Sequence, residues 1–381
     1  MNQAASNAEA RHGVAGARPN DGGLGAVSGP RARTARLAFL DVLRGVALIV
    51  MVLNHTSRWW IDRQMGWSRY WLVYATVTVA APIFLFLVGF VLPVSLHRNA
   101  ADMPAPSRLA GYLRRGAEII LAGLLLNVVV FPDESVWSGG VLQTIGLSII
   151  VMTLLAPALR YRGGGTLLLA LAVAAYLLFL AMHPRLQAWL PEHRNVGLVL
   201  FFDYAPWPWM SIVLVGLVLG WWWREAAARG PDAPYFQRLA AVGGVFMLAA
   251  LAAEWRWPST PHIGFTRDLG LNGHWIPGPI TIVWILGTVF VLLALFYWLC
   301  EVRGWRPAWL VVLGQTALML YFVHQIIAYS LVSKWLHVNF RSWAAFWLSN
   351  AVLVVVCMGL GYAWKVLKPR VPTLRTLAAR G

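Results

Sequence analysis

The sequence predicts an all-α fold: a polytopic transmembrane helical bundle of about ten spans with both termini in the cytoplasm. Three observations lead there. The first is composition: of 381 residues, 59% are hydrophobic and only 12% are charged, against about 25% charged in a soluble domain. A soluble fold of this size has no interior large enough for that apolar surface, which includes 22 Trp. The second is a succession of apolar runs of the length a bilayer requires, about 20 residues. The third is the placement of basic residues between those runs.

Residues 1–36 are rich in Ala, Gly, Asn and Arg, with neither apolar periodicity nor the apolar core of a signal peptide. They read as a disordered cytoplasmic tail. Arg31, Arg33 and Arg36 precede the first apolar run and hold it at the inner face. Spans are expected at 37–57, 70–95, 111–131, 140–159, 165–183, 207–223, 237–254, 278–300, 307–332 and 343–366. The run at 307–332 is the longest and reads as tilted or broken. Residues 37–366 thus form the membrane domain, and 367–381 a cytoplasmic C-terminal tail.

With the N-terminus inside, the inner segments carry Arg98, Arg108, Arg114, Arg115, Arg160, Arg162, Arg224, Arg229, Arg238, Arg303, Arg306 and the Lys365–Arg380 cluster. The longer outer segments carry fewer cations, the asymmetry expected of an even number of spans with both ends inside. The same bias accounts for the net charge of +16 and pI near 10.7. Nucleic acid is not an expected partner, because no basic helix is interleaved with base-stacking aromatics in a soluble segment. Cys300 and Cys357 stand alone in or beside apolar runs, and no Cys, His or acidic cluster has metal-ligand spacing. The outer loops are rich in Trp and Pro, as in Pro206-Trp207-Pro208-Trp209 and His274-Trp275-Ile276-Pro277. Such tryptophans anchor span ends or stack on sugar rings. The loops 183–206 and 254–277 are long enough to build an acceptor pocket, and His262, His274 and Asp268 fall in the second.

Charged groups inside a span are costly and usually functional. The first span, RLAFLDVLRGVALIVMVLNH, holds Asp41, Arg44 and His55. Eleven residues turn a helix about three full times, so Arg44 and His55 share a face, with Asp41 beside them. Their rise differs by about 16 Å. Arg44 is placed near the cytoplasmic side and His55 in the middle or outer half, with one cavity expected to run between them. Spacing alone equally allows a structural Asp41–Arg44 pair with an interfacial histidine.

An Arg, ten residues and a His in the first span resembles the motif of the membrane acyltransferase-3 superfamily. Residues 40–47, Leu-Asp-Val-Leu-Arg-Gly-Val-Ala, are closer still to the opening of its heparan-alpha-glucosaminide N-acetyltransferase catalytic-domain-like branch. Residues 81–89, the Gly140-Val141-Leu142-Gln143 segment, Pro206-Trp207-Pro208-Trp209 with Gly216 and Gly220, and Leu313–Tyr321 with His324-Gln325 resemble further segments of that branch, in order. Three features depart from it. An Asn stands in the lysosomal member where His55 stands here, and the loop histidine assigned catalysis there has no counterpart in residues 56–69. Gln143 is followed by Thr144 where the branch has Arg.

The resemblance implies transfer of an acyl group, most simply acetyl, from cytoplasmic acyl-CoA to a sugar or glycan acceptor at the outer face of a bacterial inner membrane. His55 is then the general base or acyl carrier, with Arg44 and Asp41 as its companions on the stripe. Arg44, Arg114 and Arg115 are the expected cations for the acyl-CoA phosphates, although Glu118 also stands at ion-pair spacing from both Arg114 and Arg115. Asn54, Gln143, Gln315, His324 and Trp207 are expected on the substrate side, the amides as oxyanion donors. A transporter or flippase for a glycan, lipid or amphiphile is the alternative, using the same intramembrane charges as a path.

Overall fold

The computed structural model describes residues 37–65, 79–98, 104–189, 192, 206–257 and 277–368. They form eleven α-helices. We number these α1 (Ala38–Trp59), α2 (Ala80–Arg98), α3 (Ala105–Val130), α4 (Val141–Leu155), α5 (Gly164–Trp189), α6 (Pro206–Arg229), α7 (Ala233–Arg256), α8 (Pro279–Tyr297), α9 (Ala308–Gln315), α10 (Ala317–Gln325) and α11 (Trp343–Leu367). Nine helical segments among the described residues are long and apolar enough to cross a bilayer. A further long helix, α3, carries Arg108, Arg114, Arg115 and Glu118 in its first half, which lowers its hydropathy. The chain is thus an all-α, multi-pass membrane bundle. The tail 1–36, the start of the expected second span, most of the two long loops with His262, Asp268 and His274, and residues 369–381 lie outside the described residues.

Helix α1 is the most buried of these spans. Phe39, Val42, Leu43 and Ala47 are wholly enclosed by α2, α8, α9, α10 and α11. Helices α5, α7 and α11 instead show Leu171, Val173, Leu177, Val245, Leu248, Leu348 and Val352 on the outer surface, the apolar face that lipid requires. Where hydrocarbon surrounds the bundle, helices associate through close backbone approach at small residues. A Cβ on Gly314 of α9 would overlap the Asp41 carbonyl of α1, and one on Gly45 would overlap that of Leu310. Gly89, Gly216 and Gly220 join α2 to α6 in the same way.

The run expected at 307–332 is broken. Helix α9 ends where Thr316 leaves helical geometry (φ −108°, ψ 10°). Its hydroxyl there donates to Val312 O at 2.8 Å, a local bond that competes with the helix. Helix α10 then widens into π turns over Ile326–Trp335. At its outer end α1 is fastened to these C-terminal elements. Phe340 N donates to Trp60 O (2.6 Å) and Asp62 N to Phe340 O (3.0 Å). The Trp60 indole donates to Ala328 O (2.8 Å), and Thr56 Oγ1 to Asn350 Oδ1 (2.7 Å). These bonds fix the turn of α1 that carries His55.

Candidate active site

One turn before the end of α1, His55 meets His324 of α10. His55 Nδ1 and His324 Nε2 are 2.8 Å apart, the ring centroids 5.1 Å, and the planes within 8°. With centroids that far apart, the short nitrogen distance is reached only if both nitrogens lie near the line joining the ring centres. The rings therefore meet edge to edge, with a lone pair of one aimed along the N–H of the other.

Proton positions follow from the next partner. His324 Nδ1 lies 2.8 Å from Leu320 O. A carbonyl only accepts, so His324 carries its hydrogen on Nδ1 and, in the neutral ring, offers a lone pair at Nε2. His55 must then donate from Nδ1. Neutral His55 is left with an unprotonated Nε2, the atom a general base requires. Trp59 (5.1 Å between centroids) and Tyr321 (6.2 Å) frame the His55 ring.

His55 stands on the wall of a cavity of about 310 Å³, within the usual range for small-ligand sites, about 300–1,000 Å³. Helix α1 contributes Met51, Asn54, His55, Arg58 and Trp59; α3 and the loop after it contribute Asn127, Phe131, Glu134 and Ser138; Gln143, Trp209, Tyr321 and Gln325 complete the enclosure. The 131–140 loop is held in place by amides. Asn127 Nδ2 donates to Val136 O (2.9 Å) and Ser138 O (2.8 Å), and Gln143 Nε2 to Ser138 O (3.2 Å). Partial burial, with the neighbouring Asp133 carboxylate, pushes the Glu134 carboxyl above its ordinary range. Gln325 is 2% exposed. Its amide nitrogen has no partner of hydrogen-bonding geometry, although the Tyr321 side chain lies beside it. Gln325 lines the cavity through other atoms, and this nitrogen is buried behind its surface.

The sequence-predicted residues divide. Asn54, His55 and Gln143 line this cavity, and His324 sits behind His55, fully buried. Gln315 does not: its Nε2 donates to Asp41 Oδ2 at 3.0 Å. Arg44 pairs with the other oxygen of Asp41 at 3.3 Å, so these three side chains form a clamp between α1 and α9. The cavity at His55 does not extend to Arg44 as expected. Arg44 does not line the His55 cavity, and Leu48, between the two, is 1% exposed. Arg114 and Arg115 are exposed and pair with Glu118 at 3.4 and 3.6 Å, away from this cavity. Trp207 is 38% exposed, whereas Trp209 is buried and lines the cavity. Two residues turn a helix by about 200°, so only one of the pair faces in.

Sequence reasoning missed Arg58, Trp59, Asn127, Glu134, Tyr321 and Gln325. Arg58 and Trp59 continue the α1 stripe through Met51, Asn54 and His55 by one more turn, a legible signal. The remainder arrive from other helices. Among the described residues no group of three or more His, Cys, Asp or Glu side chains is placed to hold a metal.

A second cavity, of about 440 Å³, is lined by His97, Arg108, Arg160, Arg224 and Trp221 among apolar neighbours. It occupies the other end of the helices that wall the first. On α2 the lining shifts from Ala80 and Ala81 to Pro93 and Leu96, on α3 from Asn127 to Arg108, and on α6 from Trp209 to Trp221 and Arg224.

No curated protein matches the chain. The family model described as heparan-alpha-glucosaminide N-acetyltransferase, catalytic, matches residues 36–250, more than half of the 381. That span takes in α1 with His55, the 131–140 loop, Gln143 and Trp209. A membrane bundle with an imidazole-lined cavity inside this match identifies the chain as a member of the heparan-alpha-glucosaminide N-acetyltransferase catalytic family, a multi-pass membrane protein of acetyltransferase type.

Proposed function

We propose that the protein moves an acetyl group from cytoplasmic acetyl-CoA to a sugar or glycan at the outer face of a bacterial inner membrane, with His55 as general base. The observation that carries this reading is the hydrogen-bonded chain His55–His324–Leu320 O on the wall of the 310 Å³ cavity. It holds His55 in the tautomer whose Nε2 accepts a proton, by the logic that orients the histidine of hydrolytic triads. Here a second imidazole anchored on a backbone carbonyl takes the orienting part.

The acceptor O–H or N–H gives its proton to His55 Nε2 while its oxygen or nitrogen bonds to the thioester carbon. The carbonyl oxygen gains negative charge, and Asn54 and Gln325, which line the cavity, are the amides assigned to meet it. The C–S bond then breaks, and the His55 imidazolium returns its proton to the departing thiolate. In the acyl-carrier variant of this route, His55 Nε2 itself attacks the thioester, and a burst of CoA release marks the acyl-histidine. The concentration of arginines at the far end of the helices favours that end as cytoplasmic, which supports His55 as the end that meets the acceptor.

The test is direct. Purified protein given radiolabelled acetyl-CoA and a panel of sugars including glucosamine should release CoA and label the acceptor, and His55→Ala should abolish both. Movement of a glycan across vesicles without CoA release would replace this reading with a transporter.

A further inference from the structure

The second cavity gathers its basic side chains from four separate segments: His97 from α2, and the cations Arg108 from α3, Arg160 from the turn after α4 and Arg224 from α6. Retention of loops at the inner face requires only that basic residues lie in those loops. It does not require that they converge on one hollow, and among the described residues no carboxylate lines this one. Their partners also differ from those of the other arginines. Arg114 and Arg115 share Glu118, Arg229 has Glu225 and Arg306 has Glu301. Among the described residues, Arg108 and Arg160 have no acidic partner. The Arg224 guanidinium lies 3.8 Å over the Trp221 ring, which braces its plane and leaves its edge for a bidentate acceptor. Between the cations the wall is apolar, with Pro93, Leu96 and Leu109.

We propose that this cavity is a polyphosphate site that holds the nucleotide end of the acyl donor. The proposal rests on the acetyl-CoA reading above and assigns the phosphates to Arg108, Arg160 and Arg224 in place of Arg44, Arg114 and Arg115. Convergent guanidinium groups in a concave, partly apolar setting are the chemistry that recognises clustered phosphates beside a base. The cavity shares α2, α3, α4 and α6 with the His55 cavity, and on α6 Trp209 and Trp221 are separated by a rise of about 18 Å. A donor fixed here by its phosphates has its acyl arm among the helices that build the reaction site. An anionic lipid headgroup offers similar chemistry, so the experiment separates the two.

Full-length protein is placed in nanodiscs of neutral phosphatidylcholine, and tritiated acetyl-CoA binding is measured. Arg108→Gln and Arg160→Gln should each weaken binding about tenfold or more, the effect of losing one charge-assisted bond. Lysine at either position should retain part of it. In turnover, the preference for acetyl-CoA over acetyl-pantetheine, which has the thioester arm and no phosphates, should shrink by a similar factor. Wild-type protein covers the event that a variant does not fold: adenosine 3′,5′-bisphosphate should displace acetyl-CoA, and less effectively as salt rises. Variants that bind acetyl-CoA like the wild type, or no displacement by the bisphosphate, overturn the proposal while leaving the acetyltransferase reading intact. Loss of retained phosphatidylglycerol without loss of acetyl-CoA makes the cavity a lipid site and also overturns it. Wild-type protein that neither binds nor consumes acetyl-CoA defeats the acetyltransferase reading, and this proposal with it.

Discussion

Replacing His324 with phenylalanine removes the acceptor of the His55 Nδ1 proton while keeping most of the buried ring volume. In the present arrangement His324 Nε2 lies 2.8 Å from that nitrogen, and Leu320 O fixes the His324 tautomer from behind at 2.8 Å. Without the acceptor, neutral His55 is free to carry its hydrogen on Nε2, where it no longer serves as a base. The imidazolium formed during transfer also loses its partner. A hydrogen bond to an ionised group contributes about 1.5–3 kcal/mol, and about 1.36 kcal/mol is a factor of ten in rate. His324→Phe should therefore lower kcat about 10- to 150-fold. KM should change by less than about threefold, since His324 is fully buried and does not line the cavity. His324→Gln offers a carbonyl oxygen at similar reach and should recover most of the loss. The assay is CoA release from acetyl-CoA by purified protein at saturating acceptor, with thermal unfolding measured in parallel. If His324→Phe turns over like the wild type, or glutamine rescues nothing although both variants melt normally, the orienting role assigned to His324 is wrong.

Further outcomes follow from other contacts. Gln325→Leu removes an amide from the cavity lining and, if that amide meets the oxyanion, should lower kcat by about a hundredfold, the usual consequence of losing one oxyanion donor; an unchanged kcat removes Gln325 from the site. Gly314→Ala drives a methyl group into the Asp41 carbonyl and should cost about 1–3 kcal/mol of stability. That loss is readable with a thiol-reactive dye, because Cys300 and Cys357 are free and buried in the folded chain. Asp41→Ala deprives both Arg44 and Gln315 of their shared acceptor. It should lower the melting temperature while leaving kcat/KM of the folded protein within about threefold. A collapse of turnover at unchanged melting temperature would instead place this clamp in the chemistry.

What was legible in the sequence was periodic or local. The apolar runs announced the bundle because lipid demands them, and the α1 stripe showed where polar groups enter it. The Arg114–Glu118 and Arg115–Glu118 pairs followed from helical spacing, and the long run at 307–332 was open to breakage, which occurs at Thr316. What was not legible depends on which helices lie side by side. His55 and His324 are 269 positions apart, and no periodicity links them. Gln315 was expected as an oxyanion donor, but the close packing of α9 on α1 at Gly314 sets it beside Asp41. Arg108, Arg160 and Arg224 each resemble an ordinary loop anchor, and only the packing of α2, α3, α4 and α6 makes them one cluster. Trp207 and Trp209 were indistinguishable until the start of α6 fixed which of the two turned inward.

The family match stops at residue 250, yet the proposed reaction site does not. Tyr321, His324 and Gln325 come from beyond it, and so do the Ala328, Phe340 and Asn350 bonds that secure the outer turn of α1. The matched stretch alone holds His55 without the His324 nitrogen that faces it. On the reading proposed above, cutting the chain between α7 and α8 divides the site itself rather than trimming an accessory. Activity in two co-produced halves would report their reassembly, with the histidine couple as the joint that has to close.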